Sequence, residues 1–144
     1  MPRTFVYSFE DTTVEINHPG FESFSAYGTG LGTVTVSMAN DDTIHDVASD
    51  RSVVVSKAIR RNGTVGFTVT QASEFNDWMR RFANFLETSD TDQYALASIV
   101  ITNRSTGDTI YCSGVSPQKL ADNDFQSQAQ QRTWNLMCAD IAYQ

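Results

Sequence analysis

One stretch of this chain departs from the pattern of everything around it. Across residues 73–87, SEFNDWMRRFANFLE, the side chains Phe75, Trp78, Met79, Phe82, Phe85 and Leu86 recur at three- and four-residue steps. That spacing predicts one amphipathic helix with a broad apolar stripe. Ser73 is placed to cap it, and Glu74 and Asp77 suit the positive end of its dipole. On either side of this stretch the apolar residues alternate with period two. A lone helix whose stripe holds four aromatic rings has no second helix to receive it, so it must lie on a sheet. The fold class that follows is mainly β (α+β), an antiparallel sandwich or partial barrel with one flanking amphipathic helix.

The strands are read from alternation. Thr4 to Phe9 and Thr12 to Asn17 are predicted strands, and His18-Pro19-Gly20 turns the chain. Phe21 to Gly32 reads as a glycine- and aromatic-rich connection. Its G-x-G-x-G spacing leads into a strand and not a helix, so bends or bulges explain these glycines better than a phosphate loop does. Thr33 to Ala39 alternates cleanly, with Val34, Val36 and Met38 on one face. Ser52 to Arg60 and Thr64 to Thr70 read as a hairpin about Arg61-Asn62-Gly63, because Asn-Gly is a strong turn signal. Tyr94 to Thr102 and Thr109 to Val115 form a second hairpin, and Arg132 to Ala142 closes the chain as one strand. The total is eight or nine strands in a single domain spanning residues 1–144.

Between the Thr33 and Ser52 strands lies Asn40 to Arg51, read as an acidic loop. Asp41, Asp42, His45, Asp46 and Asp50 raise a metal hypothesis. Hard-cation loops need a fixed oxygen spacing and usually a turn glycine, which this loop lacks. A transition metal would want more nitrogen or sulfur. A solvated or partner-contacting loop is the better reading, and no cofactor is expected.

Catalytic constellations are absent from the sequence. The two histidines, His18 and His45, sit in no nucleophile motif, and there is no G-x-S-x-G, P-loop or H-E-x-x-H pattern. Cys112 and Cys138 lie in predicted strands and read as buried free thiols. The formal net charge of −7 argues against a protein that grips nucleic acid by its phosphates. No apolar run has membrane-spanning length, and the N-terminus has no signal-peptide core, so assembly in a cytoplasm is expected.

What the strands do present is a polar face of small, uncharged side chains: Thr33, Thr35, Ser37 and Ala39; Ser52, Ser56 and Ala58; Thr64, Gly66, Thr68 and Thr70; and Thr133 with Asn135. Free-standing strands usually carry Lys, Glu or Arg there, which discourages edge-to-edge association. Threonine also suits a sheet surface for its own reasons. A surface that closes against copies of itself and lines something is the sharper alternative.

The segment order completes the reading. VSKAIRRNGTVGFTVTQ with the helix directly behind it, and the terminal QAQQRTWNLMCADI, resemble tail tube proteins of contractile-tailed bacteriophages over nearly the whole chain. The resemblance implies a subunit in which six copies close a ring and rings stack into a hollow virion tube for DNA ejection. It implies self-association and contact with tail sheath, tape-measure, baseplate and terminator proteins, without specific DNA binding. On that expectation the hydroxyl face lines the lumen, the acidic loop joins subunits, and Arg80, Arg81, Asn84 and Glu87 look outward to the sheath. A soluble ligand- or carbohydrate-binding β-sandwich is the competing class.

Overall fold

A computed structural model describes residues 4, 6–8, 11–26, 31–70, 73–121, 125–128 and 130–144. Its elements in chain order are β1 (Thr12–His18), β2 (Phe21–Ala26), β3 (Leu31–Met38), β4 (Thr43–Val47), β5 (Val53–Lys57), β6 (Gly63–Thr70), α1 (Glu74–Thr88), β7 (Ala97–Asn103), β8 (Asp108–Pro117), β9 (Gln131–Cys138) and β10 (Asp140–Tyr143). All strand pairings are antiparallel. The main sheet runs β2-β1-β7-β8-β9-β6-β3, with β10 branching from β8. It folds over on itself, and among the described residues it does not close into a barrel, because β2 and β3 remain its two edges.

The fold-over occurs at β8. Its first half pairs with β7 and β10, while Ser116 and Pro117 pair with β9. Gly114 sits at the bend with φ 64°, and a Cβ there would lie 2.6 Å from that of Ala139. Glycine is required on both counts. The predicted closing strand is therefore two: β9 ends at Cys138, and β10 crosses to pair Ile141 with Cys112.

Alternation then does what its period dictates. Val14 and Ile16, Ile99 and Ile101, Val65, Phe67 and Val69, and Trp134 and Leu136 all point into one core. Helix α1 covers one side of it. Ser73 caps the helix by accepting from Phe75 N–H at 3.2 Å. Phe75, Trp78, Met79, Phe82 and Leu86 are buried, each worth roughly 1.5–3 kcal/mol relative to exposure.

Two expectations about the first strands change. The described residues of the first predicted strand, Thr4, Val6, Tyr7 and Ser8, are irregular. Much of the expected aromatic connection is instead β2. Between the pairs Ile16↔Phe24 and His18↔Phe21, β2 carries one extra residue. That bulge turns Phe21 and Phe24, three apart, toward the helix. Phe21 stacks on Phe85 at 5.1 Å between centroids, and Phe24 lies 5.5 Å from Trp78. Gly32 sits at another register shift, between β3 and β6, while Gly28 and Gly30 lie outside the described residues.

Candidate functional site

The continuous face of β3, β6 and β9 is built row by row. Thr33, Thr68 and Thr133 form one row, Thr35, Gly66 and Asn135 the next, and Ser37, Thr64 and Met137 a third. Thr70 and Gln131 extend the surface at one end. None of these side chains is charged. Thr68 Oγ1 and Thr133 Oγ1 lie 3.5 Å apart, so hydroxyls run across the strands. Gly66 keeps the middle row flat, since a Cβ there would approach Asn135 Oδ1 to 3.0 Å. The valines, phenylalanine and tryptophan between these residues point inward. Six of the seven lumen candidates thus share one surface.

Ser56 does not join them. The expected hairpin of Ser52–Arg60 with Thr64–Thr70 does not exist, because β5 pairs with β4 and β6 pairs with β3 and β9. The Asn-Gly signal misled because Gly63 serves a different need. It opens β6 where Ser37 O would lie 2.3 Å from an added Cβ and Ile141 Cδ1 2.8 Å. Close backbone approach, not a two-residue turn, requires glycine here.

The stretch read as an acidic loop is largely one half of a projecting β-hairpin, hereafter the arm. All ten residues of β4 and β5 are exposed. The base of the arm is clasped by Asn40 Nδ2 donating to Asn62 Oδ1 at 2.8 Å and by an Arg61–Asp42 ion pair at 3.6 Å. At the tip, Arg51 takes φ 71° and its N–H donates to Ala48 O at 3.0 Å. The Ser52 hydroxyl and N–H donate to Asp50 and hold its carboxyl below the usual carboxylate range. Asp42 is thus at the base, His45 and Asp46 on opposite faces of β4, and Asp50 at the tip. Among the described residues no three potential ligands gather as a metal would need.

On the helix, Arg80, Arg81, Asn84 and Glu87 are exposed together. Arg80 is paired with Asp77, and Arg81 reaches across to Glu22 on β2. These cations are already engaged within the chain. Asn76, absent from the sequence reading, is buried and tied to the sheet. Its Oδ1 accepts from Trp134 Nε1 at 2.8 Å, and its Nδ2 donates to Thr70 O at 2.6 Å. A polar residue beside an apolar stripe is the only sequence signal it offers. Cys112 and Cys138 are free and buried as expected. The Cys138 thiol is pushed well above the ordinary thiol range by its hydrogen bond with Cys112 and by burial.

A folded-over antiparallel sheet, a flanking helix and an exposed arm make a fold that this chain shares with solved chains of contractile injection systems. The anti-feeding prophage tube-terminating cap superposes with a TM-score of 0.62 at 11% identity, covering 100% of this chain and 94% of that one. The sheath/tube terminator of an extracellular contractile injection system (PVC) gives 0.61 at 12%, covering 98% of each chain. A chain of that system's sheath–tube complex gives 0.60 at 14%, covering 97% of this chain and 92% of that one. No curated protein sequence matches the chain. The model of the bacteriophage PhiTE tail tube protein family matches residues 4–144, and the chain belongs to that family. It is a structural tube protein and not an enzyme.

Proposed function

We propose that six copies of this protein close a ring and that rings stack into the inner tube of a contractile tail, through which DNA is ejected. The observation that carries this reading is the uncharged, hydroxyl-rich face of β3, β6 and β9. A conduit for a polyanion works best when its wall does not attract phosphate. On this reading Thr33, Thr35, Ser37, Thr64, Thr68 and Thr70 line the channel.

Two further features support association with like copies. Edge strand β3 carries threonine and serine outward and no blocking charge, so a neighbouring strand can add to it. The arm exposes aliphatic side chains that a solitary hairpin cannot shelter. The carboxylates Asp41, Asp42, Asp46 and Asp50, with His45, then belong to an assembly element. Asn84 and Glu87, with the paired Arg80 and Arg81, face outward toward a sheath. Tape-measure, baseplate and terminator partners follow from the same reading, with assembly in the host cytoplasm before the virion tail is complete.

Negative-stain microscopy of the purified protein tests the assembly directly. Six-membered rings or tubes are expected, and a monomer at every concentration overturns the proposal. The lumen assignment is tested with Thr35→Lys and Thr68→Lys in otherwise normal particles. Each adds six positive charges per ring toward the passing phosphates, and ejection should slow most at low salt. Unchanged ejection, with the lysines open to labels on the tube exterior, places this face outside.

A further inference from the structure

The arm exposes aliphatic side chains on both faces, Ile44 and Val54 on one and three valines on the other. Cross-strand pairing places Val47, Val53, His45, Val55, Thr43 and Lys57 on one face. Val47 is 72% exposed, Val53 50% and Val55 60%. The arm therefore does not lie on its own body. It carries four acids and four bases between Asp41 and Arg61, so it is neutral in a chain of charge −7. A neutral arm with exposed valines is suited to lie against another copy of an otherwise acidic molecule.

A receiving surface exists elsewhere on the same chain. Between β3 and the β7–β8 hairpin lies an open cleft of about 330 Å³, lined by Val34, Val36, Ile101 and Ile110, with Asp108 and Tyr143 among its polar margin. Its volume falls at the low end of small-molecule sites (roughly 300–1,000 Å³), and it is partly open to solvent. It suits small branched side chains entering from outside. Asp108 accepts from the Thr106 hydroxyl at 2.7 Å and forms no ion pair among the described residues. Along the arm, Val53, Val55 and Lys57 follow at two-residue steps on one face, roughly 6.8 Å apart. Two valines followed by a cation match an aliphatic cleft with an acid at its margin.

We propose that this cleft is the socket for the arm of a neighbouring copy, with Val53 and Val55 on Val34, Val36 and Ile110 and Lys57 at Asp108. The inference rests on the tube reading and names the second surface of the arm's contact. A knob and a socket at different places on one chain make a heterologous contact, which propagates from copy to copy until it closes or continues as a filament.

The test uses the full chain with Val36→Cys and Val55→Cys together, assembled and then oxidised with copper–phenanthroline. Each new thiol gives up a proton and an electron, with oxygen as final acceptor, and a disulfide forms where the two meet. A ladder of covalent oligomers on a non-reducing denaturing gel is expected, with no ladder from either single variant. Ile110→Cys with Val53→Cys is an independent second pair should the first disturb assembly. Lys57→Asp should cut tube yield at least tenfold, and adding Asp108→Lys should restore it. Tubes visible by microscopy with no ladder from either pair overturn the socket and leave the tube reading standing. A fast-migrating monomer with an internal disulfide also overturns it, since the arm would then fold onto its own body. Wild-type protein that forms neither rings nor tubes removes both readings together.

Discussion

Strands β5 and β6 are neighbours in sequence and opposites in burial. The first, VVVSK, is the richer in valine, yet all five of its residues are exposed. The second, GTVGFTVT, buries every other side chain at least until Thr70. Hydrophobicity does not separate them. What separates them is a second layer: β6 lies between β3 and β9 under the helix and the opposing strands, whereas β5 has only β4. A two-stranded hairpin is marginal in water by itself. The body shelters its apolar side chains within the chain, and the arm leaves its own exposed.

Substitutions that act on one region and spare the other sharpen the contrast. The largest loss of stability belongs to the body. Phe82→Ala empties a fully buried site between His18, Phe21 and Trp78 and should cost about 4 kcal/mol in urea unfolding. Next comes the junction. Gly63→Ala drives a Cβ into Ser37 O and should cost about 3 kcal/mol while separating β3 from β6 where the arm begins. Amide exchange at Met38 and Thr64 would report that separation. A smaller loss is expected from Asn76→Ala, about 2 kcal/mol, because the buried Trp134 Nε1 loses its partner and Thr70 O is left with Ser73 N–H alone. Keeping wild-type stability there would mean that water replaces both bonds.

The arm should respond on a different scale. Arg51→Gly relieves a left-handed residue that costs roughly 1 kcal/mol, and slower amide exchange at the tip turn is the readout. The smallest effect on the free subunit is expected from Val53→Ser with Val55→Ser, within about 0.5 kcal/mol, since neither valine is buried. The same pair should abolish tubes in the microscope. Normal tubes from it would erase the distinction between body and arm.

Most of the body was legible in the sequence. Clean alternation in β3, β6 and β9 assigns each side chain to a face, because a one-residue slip would bury hydroxyls and expose valines. The helix was equally plain, since no other period accommodates Phe75, Trp78, Met79 and Phe82 on one side. Legibility failed where alternation was interrupted or misleading. FESFSA hides a strand because its bulge gives the two phenylalanines a spacing of three. Asn62-Gly63 looks like a tight turn, and its glycine is there for a backbone contact. Ser56 was grouped with the channel face because it alternates like the others, although its strand pairs elsewhere.

The sequence by itself therefore determined the helix, the inward and outward sides of β3, β6 and β9, and the absence of charge on the outward face those strands share. These follow from local periodicity and side-chain chemistry. Only the tertiary structure decided which strands pair, that β3 and β6 meet across an excluded arm, and that β8 bends so that one strand serves both halves of the sheet. Pairing joins residues distant in sequence, and alternation is the same whichever neighbour a strand takes. The choice is made by the shared core, where Phe67, Trp134 and the helix must fill one volume together.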